Sequence, residues 1–480
     1  MAFPVEDEPR NESRIDLVYA LAIACAVVLW HLPGLTLIPG VNHDEIMLNS
    51  AARSWSAKGI IALSPLADAG KTYASAYYWH PPGHLLVMAA VYSVFGFSIA
   101  VTRGESLASG ACAAFLLFIL LRRLKIARTT SVILILLFLG HPLVWWLCRS
   151  GRMDLLAISF GLAALLFIVG GEGPKGSYSR AALAGVLIGV GSLFHVMTLV
   201  WAPAVIGAES LALRRLNWKR SVLIGVMASL PLLLWILSIL AVGDREAWME
   251  QFVGYQLMQR SGTANVLSRF LGELGLIVSQ LRLVPALLLP LIFGLAAGWT
   301  QAPRQRWWCL GGAGVAFLLI ACFTAKGTGA YPLYWFVWVL LLAGYGIDAL
   351  SPNLKGTLVT LAVANAAFLQ CAQVGVALYQ RKARAPERVD RFFAENIPRG
   401  SIVMGPEDIW YAVEHSGSEL RIWADEHSLR HDYYVTAANV PANPPVGFRL
   451  LAELPDTMPK VFGHYWSHTS CSYRIWVRMK

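Results

Sequence analysis

Two adjacent carboxylates, Asp44 and Glu45, stand in the stretch "LIPGVNHDEIMLNSAARSWSAKG" at 37 to 59, just beyond a long apolar run. A carboxylate can act as a general base toward a hydroxyl, and fixed cations can hold a phosphate. Three further stretches carry residues of these types. "YYWHPPGH" at 77 to 84 contains His80, "CRSGRMD" at 148 to 154 contains Arg149, Arg152 and Asp154, and "AKGTGAYPLYW" at 325 to 335 contains Lys326 and Tyr331. Each adjoins an apolar segment, so any chemistry they perform belongs at a membrane boundary. Carboxylates facing cations suit group transfer from a phosphate-linked donor.

Each residue also has a structural reading. Asp44 could cap the helix that "EIMLNSAARSW" suggests, since an Asp at a helix start accepts backbone N–H bonds. Arg149 and Arg152 are close enough in sequence to pair with Asp154, as ionisable groups at span ends often do. The His80-Pro81-Pro82 turn could serve only to fix the entry of a following helix. Lys326 could snorkel to the interface, with Tyr331, Tyr334 and Trp335 as an aromatic belt. His195, between two short apolar runs, reads as a polar turn residue.

The elements that must position these residues are membrane spans. Of 480 residues, 56% are apolar and only 14% charged, and several apolar runs are long enough to cross a bilayer. The chain therefore reads as a polytopic α-helical membrane protein. Its +10 net charge does not point to nucleic acid, because the positives cluster in short stretches between apolar runs, such as "RRLKIAR" and "RRLNWKR". The seven cysteines form no disulfide framework or metal knuckle: Cys25, Cys112, Cys309, Cys322 and Cys371 lie inside apolar runs, Cys148 at the edge of one, and Cys471 in the polar tail.

Eleven spans are expected, at about 15–38, 104–121, 129–147, 155–170, 181–194, 196–212, 221–242, 275–298, 308–323, 333–350 and 356–378. The run at 84–97 is too short for a comfortable crossing and reads as a juxtamembrane helix. With that choice every basic cluster between spans falls on one side, which places the N-terminal tail 1–14 in the cytoplasm and the C-terminus outside. "RKARAPER" at 381–388 runs against this bias, but positive residues at the start of a translocated domain are better tolerated than in short loops. Residues 15–380 form the transmembrane domain, with its first outer loop at 39–103. Residues 381–480 read as a small outer-face α/β domain, with a helix in "PERVDRFFAENI" and strands in "SIVMG", "DYYVTA", "FRLLAEL" and "SYRIWVRM". All four chemistry-bearing stretches then share the outer side.

In order and spacing these pieces resemble the GT-C glycosyltransferases, in particular the branch of protein O-mannosyltransferases, lipid A aminoarabinose transferases and related bacterial transferases of rhizobial lipopolysaccharide core. The resemblance rests on "HDEIMLNSAARSWSAKG", "YYWHPPGHLLVMAAVYSVFG", "TRGESLASGACAAFLLFILLRRL", "WWLCRSGRMDLLAISF" and "AKGTGAYPLYWFVWVLLLAG", and covers roughly residues 15 to 350.

The resemblance implies a GT-C fold with outer-face juxtamembrane helices, in the inner (plasma) membrane, and a sugar donor built on a polyprenyl phosphate. It implies inverting transfer to a hydroxyl of a cell-envelope acceptor (lipid A or core, polysaccharide or protein). Asp44 matches the family's base, Glu45 takes a supporting role, and Asp154 matches the second-loop acidic residue. Arg152, Arg149, Lys326, His80 and Tyr331 are the candidates for the donor phosphate. The branch usually works without a metal, and no other cofactor is expected. "GSLFHVM" departs from the Thr-Lys pair of many relatives and puts His195 there instead.

Two other classes fit the composition: a lipid-linked-sugar flippase or transporter, and an anchoring protein whose working part is the tail. Transporters place ionisable groups near the midplane and often carry paired broken helices. Here the carboxylates sit in outer loops and no internal repeat is found. An anchoring protein leaves the Asp-Glu pair and the Lys326 stretch without a purpose.

Overall fold

The computed structural model describes residues 10–169, 176–254, 267–272, 274–275, 292, 303–323, 331–422, 431–438, 446–459 and 471–479. Its first part is a bundle of apolar helices. α1 (Arg10–His31), α4 (Ile99–Arg123), α10 (Trp218–Ala241) and the helices Pro303–Phe323 and Pro352–Tyr379 contain segments long and apolar enough to cross a bilayer. Shorter apolar helices accompany them: α5 (Arg128–Leu139), α7 (Asp154–Val169), α8 (Gly176–Phe194), α9 (Trp201–Leu213) and Leu333–Asp348. These ten coincide with ten of the expected spans, while most of the 275–298 span lies outside the described residues.

One expected span is more articulated than its hydropathy suggests. The 129–147 run breaks at Gly140-His141-Pro142, where the His141 ring accepts the Leu143 N–H and α6 (Pro142–Leu147) begins. The runs 181–194 and 196–212 are separate helices, as expected. The chain is extended at His195, whose Nδ1 accepts the Met197 N–H and caps a short 3-10 turn before α9.

The ends of the bundle differ in chemistry. At one end Asp16 receives Arg122 (2.9 Å) and Arg128 (2.8 Å), Arg220 meets Glu209 (2.9 Å), and Asp348 accepts the Ala127 N–H. α4 carries Arg122 at this end and Arg103 at the other, about 28 Å away by helical rise. The Arg103 end collects the first loop, the 148–154 loop, His195 and Tyr331.

The first loop folds into α2 (His43–Lys58) and α3 (Gly83–Phe95). α3 buries Leu85, Met88 and Tyr92 while Leu86, Val94 and Phe95 stay exposed, as expected of a juxtamembrane helix. Gly83 lets its start seat on the end of α8, since a Cβ there would lie 2.7 Å from the Leu193 carbonyl oxygen.

The tail contains the expected helix, Pro386–Asn396, and a five-stranded sheet in the order β2-β1-β3-β5-β4. β1 (Ile402–Met404) pairs in parallel with β2 (Glu419–Arg421) and with β3 (Tyr433–Ala437). β5 (Tyr473–Arg478) runs antiparallel to β3 and to β4 (Phe448–Leu454). β2, only three residues long, and the short Trp410–His415 helix have no clear sequence signature. The tail shares a core with the first loop: Ile46, Met47, Leu63 and Trp79 pack in one cluster with Phe393, Val403, Trp410 and Ile475. The loop and the tail therefore form one layer over one end of the bundle.

Candidate active site

The site is built where the start of α2 meets the loop before α7. Asn42 caps α2, its side chain accepting the Glu45 N–H at 3.1 Å. Capping is thus not left to Asp44, whose carboxylate is half exposed and free to point at the facing loop. There it meets Arg152, which donates through Nη1 to Asp44 Oδ2. Arg152 also donates through Nε to Asp154 Oδ2 at 2.8 Å and lies over the Trp146 ring at 5.2 Å. Burial works against the charge on Arg152, but Asp154 and Asp44 outweigh it and raise the guanidinium above its ordinary range.

Asp154, wholly buried, faces His195 as well, with Oδ1 4.0 Å from Nε2. Since His195 Nδ1 accepts a backbone N–H, the neutral ring carries its proton on Nε2, toward Asp154. His80 and Tyr331 complete this wall, their ring centroids 6.0 and 5.3 Å from that of His195. His80 is held well below the ordinary imidazole range, mainly by burial and further by His195, and is neutral at pH 7. Asp44, Arg152, Asp154, His80 and Tyr331 thus come together from four separate stretches. Lys326 lies outside the described residues.

Glu45 and Arg149 stand behind this front. Glu45 is fully buried in a bidentate pair with Arg103, whose Nε and Nη2 each donate at 3.0 Å. Tyr411 of the tail donates its hydroxyl to the same carboxylate at 3.1 Å. Arg149 gives its N–H groups to the carbonyls of His31 (2.5 Å), Pro33 (2.6 Å) and Ile38 (3.3 Å). It staples the segment after α1. The sequence could not divide the two arginines of "CRSGRMD"; their partners do.

The loop is held to α2 by contacts sequence reading did not single out. Asn49 donates to the carbonyls of Glu45 (2.7 Å) and Gly151 (2.8 Å), and its Oδ1 lies 3.2 Å from His84 Nε2. Gly151 has φ +62°, and a Cβ there would sit 2.8 Å from Thr102 Cγ2 and 3.0 Å from Glu45 Cγ. Only glycine allows this approach. The tail adds a second clamp: His43 bonds Glu407 at 2.7 Å, and Phe97 packs on Trp410 and Tyr411 with centroids 5.1 Å away. Neither Tyr411 nor Glu407 carries a local signal, because their partners are some 360 residues earlier. Among the described residues no three His, Cys, Asp or Glu side chains converge as a metal site.

This architecture, ten described apolar helices under a loop-and-tail layer, is the GT-C fold. The chain is similar over 96% of its length, and over 97% of the other chain, to ArnT from Cupriavidus metallidurans, an aminoarabinose transferase solved with undecaprenyl phosphate and in the apo state (TM-score 0.64, 14% identity). It is also similar to the Archaeoglobus fulgidus oligosaccharyltransferase tethered with an acceptor peptide (TM-score 0.51, 13% identity, 87% of this chain and 69% of that one). No protein-family model and no curated protein matches by sequence.

Proposed function

We propose that the protein is a membrane glycosyltransferase that moves a sugar from a polyprenyl-phosphate donor to a hydroxyl of a cell-envelope glycan, lipid or protein, with inversion. The acceptor oxygen attacks the anomeric carbon, its proton passes to Asp44, and the bond from that carbon to the phosphate oxygen breaks. The electron pair leaves with the polyprenyl phosphate. A well-placed carboxylate contributes roughly a hundred- to ten-thousand-fold to such a step. Arg152 meets the charge growing on the leaving phosphate, and Asp154 holds Arg152 in place. Lys326 is a second candidate for the phosphate, and His80 and Tyr331 shape the wall beside it. Glu45 and Arg149 hold the backbone that presents these groups.

The observation that carries this reading is the convergence of Asp44, Arg152 and Asp154 at the bundle end that also gathers the first loop and tail. The fold supports it, being shared with a protein solved with undecaprenyl phosphate. A polyprenyl donor keeps its tail in the bilayer and its phosphate at the surface, so base and cation are needed at that boundary. The basic clusters at the opposite end support a reading with the N-terminus in the cytoplasm and the tail on the outer face of the inner membrane.

The test is transfer by purified protein in nanodiscs, from a panel of polyprenyl-phosphate sugars to envelope extract, comparing wild type with Asp44→Asn. Transfer by wild type that falls at least a hundredfold in the variant supports the reading. A folded wild type that transfers from no donor overturns it in favour of transport.

A further inference from the structure

The pairing of Arg152 raises a question of order. A guanidinium grips an oxyanion along one of two edges, side-on through Nε and Nη2 or end-on through Nη1 and Nη2. Asp154 takes the side-on edge of Arg152, with Nε at 2.8 Å and Nη2 at 3.5 Å. Trp146 covers one face of the same group. The end-on edge is left for recognition, and its Nη1 is engaged by Asp44. The two carboxylates are unequal: Asp154 is wholly buried, whereas the Asp44 side chain is 49% exposed. Asp154 is a fixed holder, and Asp44 is the partner that can be exchanged.

We infer that Asp44 and the donor's phosphate compete for the end-on edge of Arg152, so that donor binding releases the carboxylate that then acts as base. This rests on the function proposed above and adds an order to it. A phosphate presents oxygen acceptors much as a carboxylate does, with greater charge, and displaces a half-exposed carboxylate at little cost. While Asp44 is held by Arg152, its oxygen is occupied by the guanidinium and is turned away from the acceptor hydroxyl. Once the phosphate takes the arginine, Asp44 turns to the acceptor hydroxyl beside the bound sugar. The donor is therefore engaged before the acceptor is activated, and acceptor alone does not free the base.

The experiment measures undecaprenyl phosphate binding to full-length protein in nanodiscs for wild type, Asp44→Asn, Arg152→Gln and the double variant. Removing the competitor makes Asp44→Asn bind about three- to tenfold more tightly, although the same variant loses transfer. The gain disappears when Arg152 is also replaced. An Asp44→Asn protein that binds no more tightly than wild type overturns the inference. So does an equal gain with and without Arg152, which shows simple repulsion between Asp44 and phosphate. Asp44→Ser, which preserves the half-exposed position with a smaller side chain, gives the same comparison if the asparagine variant is poorly folded. A wild type that does not bind undecaprenyl phosphate overturns the function on which the inference rests.

Discussion

Glu45 and Arg103 form a fully buried bidentate pair directly behind the half-exposed Asp44 and its buried partner Arg152. The neighbouring residues of the Asp-Glu motif thus face opposite ways, Glu45 into the protein and Asp44 toward the facing loop. Successive residues of a helix point about 100° apart, and here that rotation separates a structural carboxylate from an accessible one.

Glu45→Gln is expected to destabilise the protein by about 3–5 kcal/mol, because Arg103 keeps its charge in a site with no compensating anion. Unfolding by SDS titration measures this. Replacing Arg103 by Gln as well should recover part of the loss. If the single Glu45→Gln variant unfolds like wild type, the pair is not holding the loop.

Arg149→Lys separates the two loop arginines. A lysine cannot reproduce the planar fork that reaches the carbonyls of His31, Pro33 and Ile38. Losing two of these charged hydrogen bonds should cost about 2–4 kcal/mol in SDS titration. Undecaprenyl phosphate binding by the fraction that remains folded should stay within twofold of wild type. A large loss of binding with unchanged stability would give Arg149 the ligand role.

How far these roles were legible depends on the range of the interactions behind them. Ten of the eleven expected spans, α3 and four tail strands follow from local hydropathy and alternation and overlap described elements, while most of the 275–298 span lies outside the described residues. The polar stretches carry their residue types openly, so Asp44, Arg152, Asp154, His80 and Tyr331 could be named before their contacts were known. Which of Arg149 and Arg152 faces Asp44 depends on the path of the chain after α1, and no local pattern records that. The cap at Asn42 was missed because Asp44 is as good a capping residue and lies only two positions on. Tyr411 and Glu407 were missed because the loop–tail contact joins segments at opposite ends of the chain.

Gly151→Ala tests whether the approach of the loop to α2 matters. The added methyl would stand 2.8 Å from Thr102 Cγ2 and 3.0 Å from Glu45 Cγ, at a φ of +62° that alanine adopts only with strain. Relief requires the loop to move away from α2 and carry Arg152 with it. The expected result is a loss of about 1–3 kcal/mol in stability and at least a tenfold drop in transfer, since a displacement near 1 Å is costly for positioned groups. Wild-type transfer would mean that the separation of Arg152 from Asp44 is not critical.

The tail should respond to pH through Asp408. Its carboxyl is pushed up to about 7, from an ordinary value near 3.8, first by burial and then by the neighbouring Glu407, against the hydrogen bond that Tyr473 donates at 2.9 Å. The folded state therefore binds this proton more tightly than the unfolded state. Between about pH 4 and 7 folding takes up a proton, so the contribution of Asp408 is full below pH 4 and is lost as pH rises through 7. His415, raised chiefly by its hydrogen bond to Asp390, changes stability in the same direction. Thermal unfolding followed by tail-specific proteolysis should show the loop–tail layer weakening from pH 5 to 8. Asp408→Asn, which cannot ionise, should flatten that slope and leave the part due to His415. A slope unchanged by Asp408→Asn would mean that the carboxylate finds enough water or a compensating partner in the folded tail to ionise without penalty.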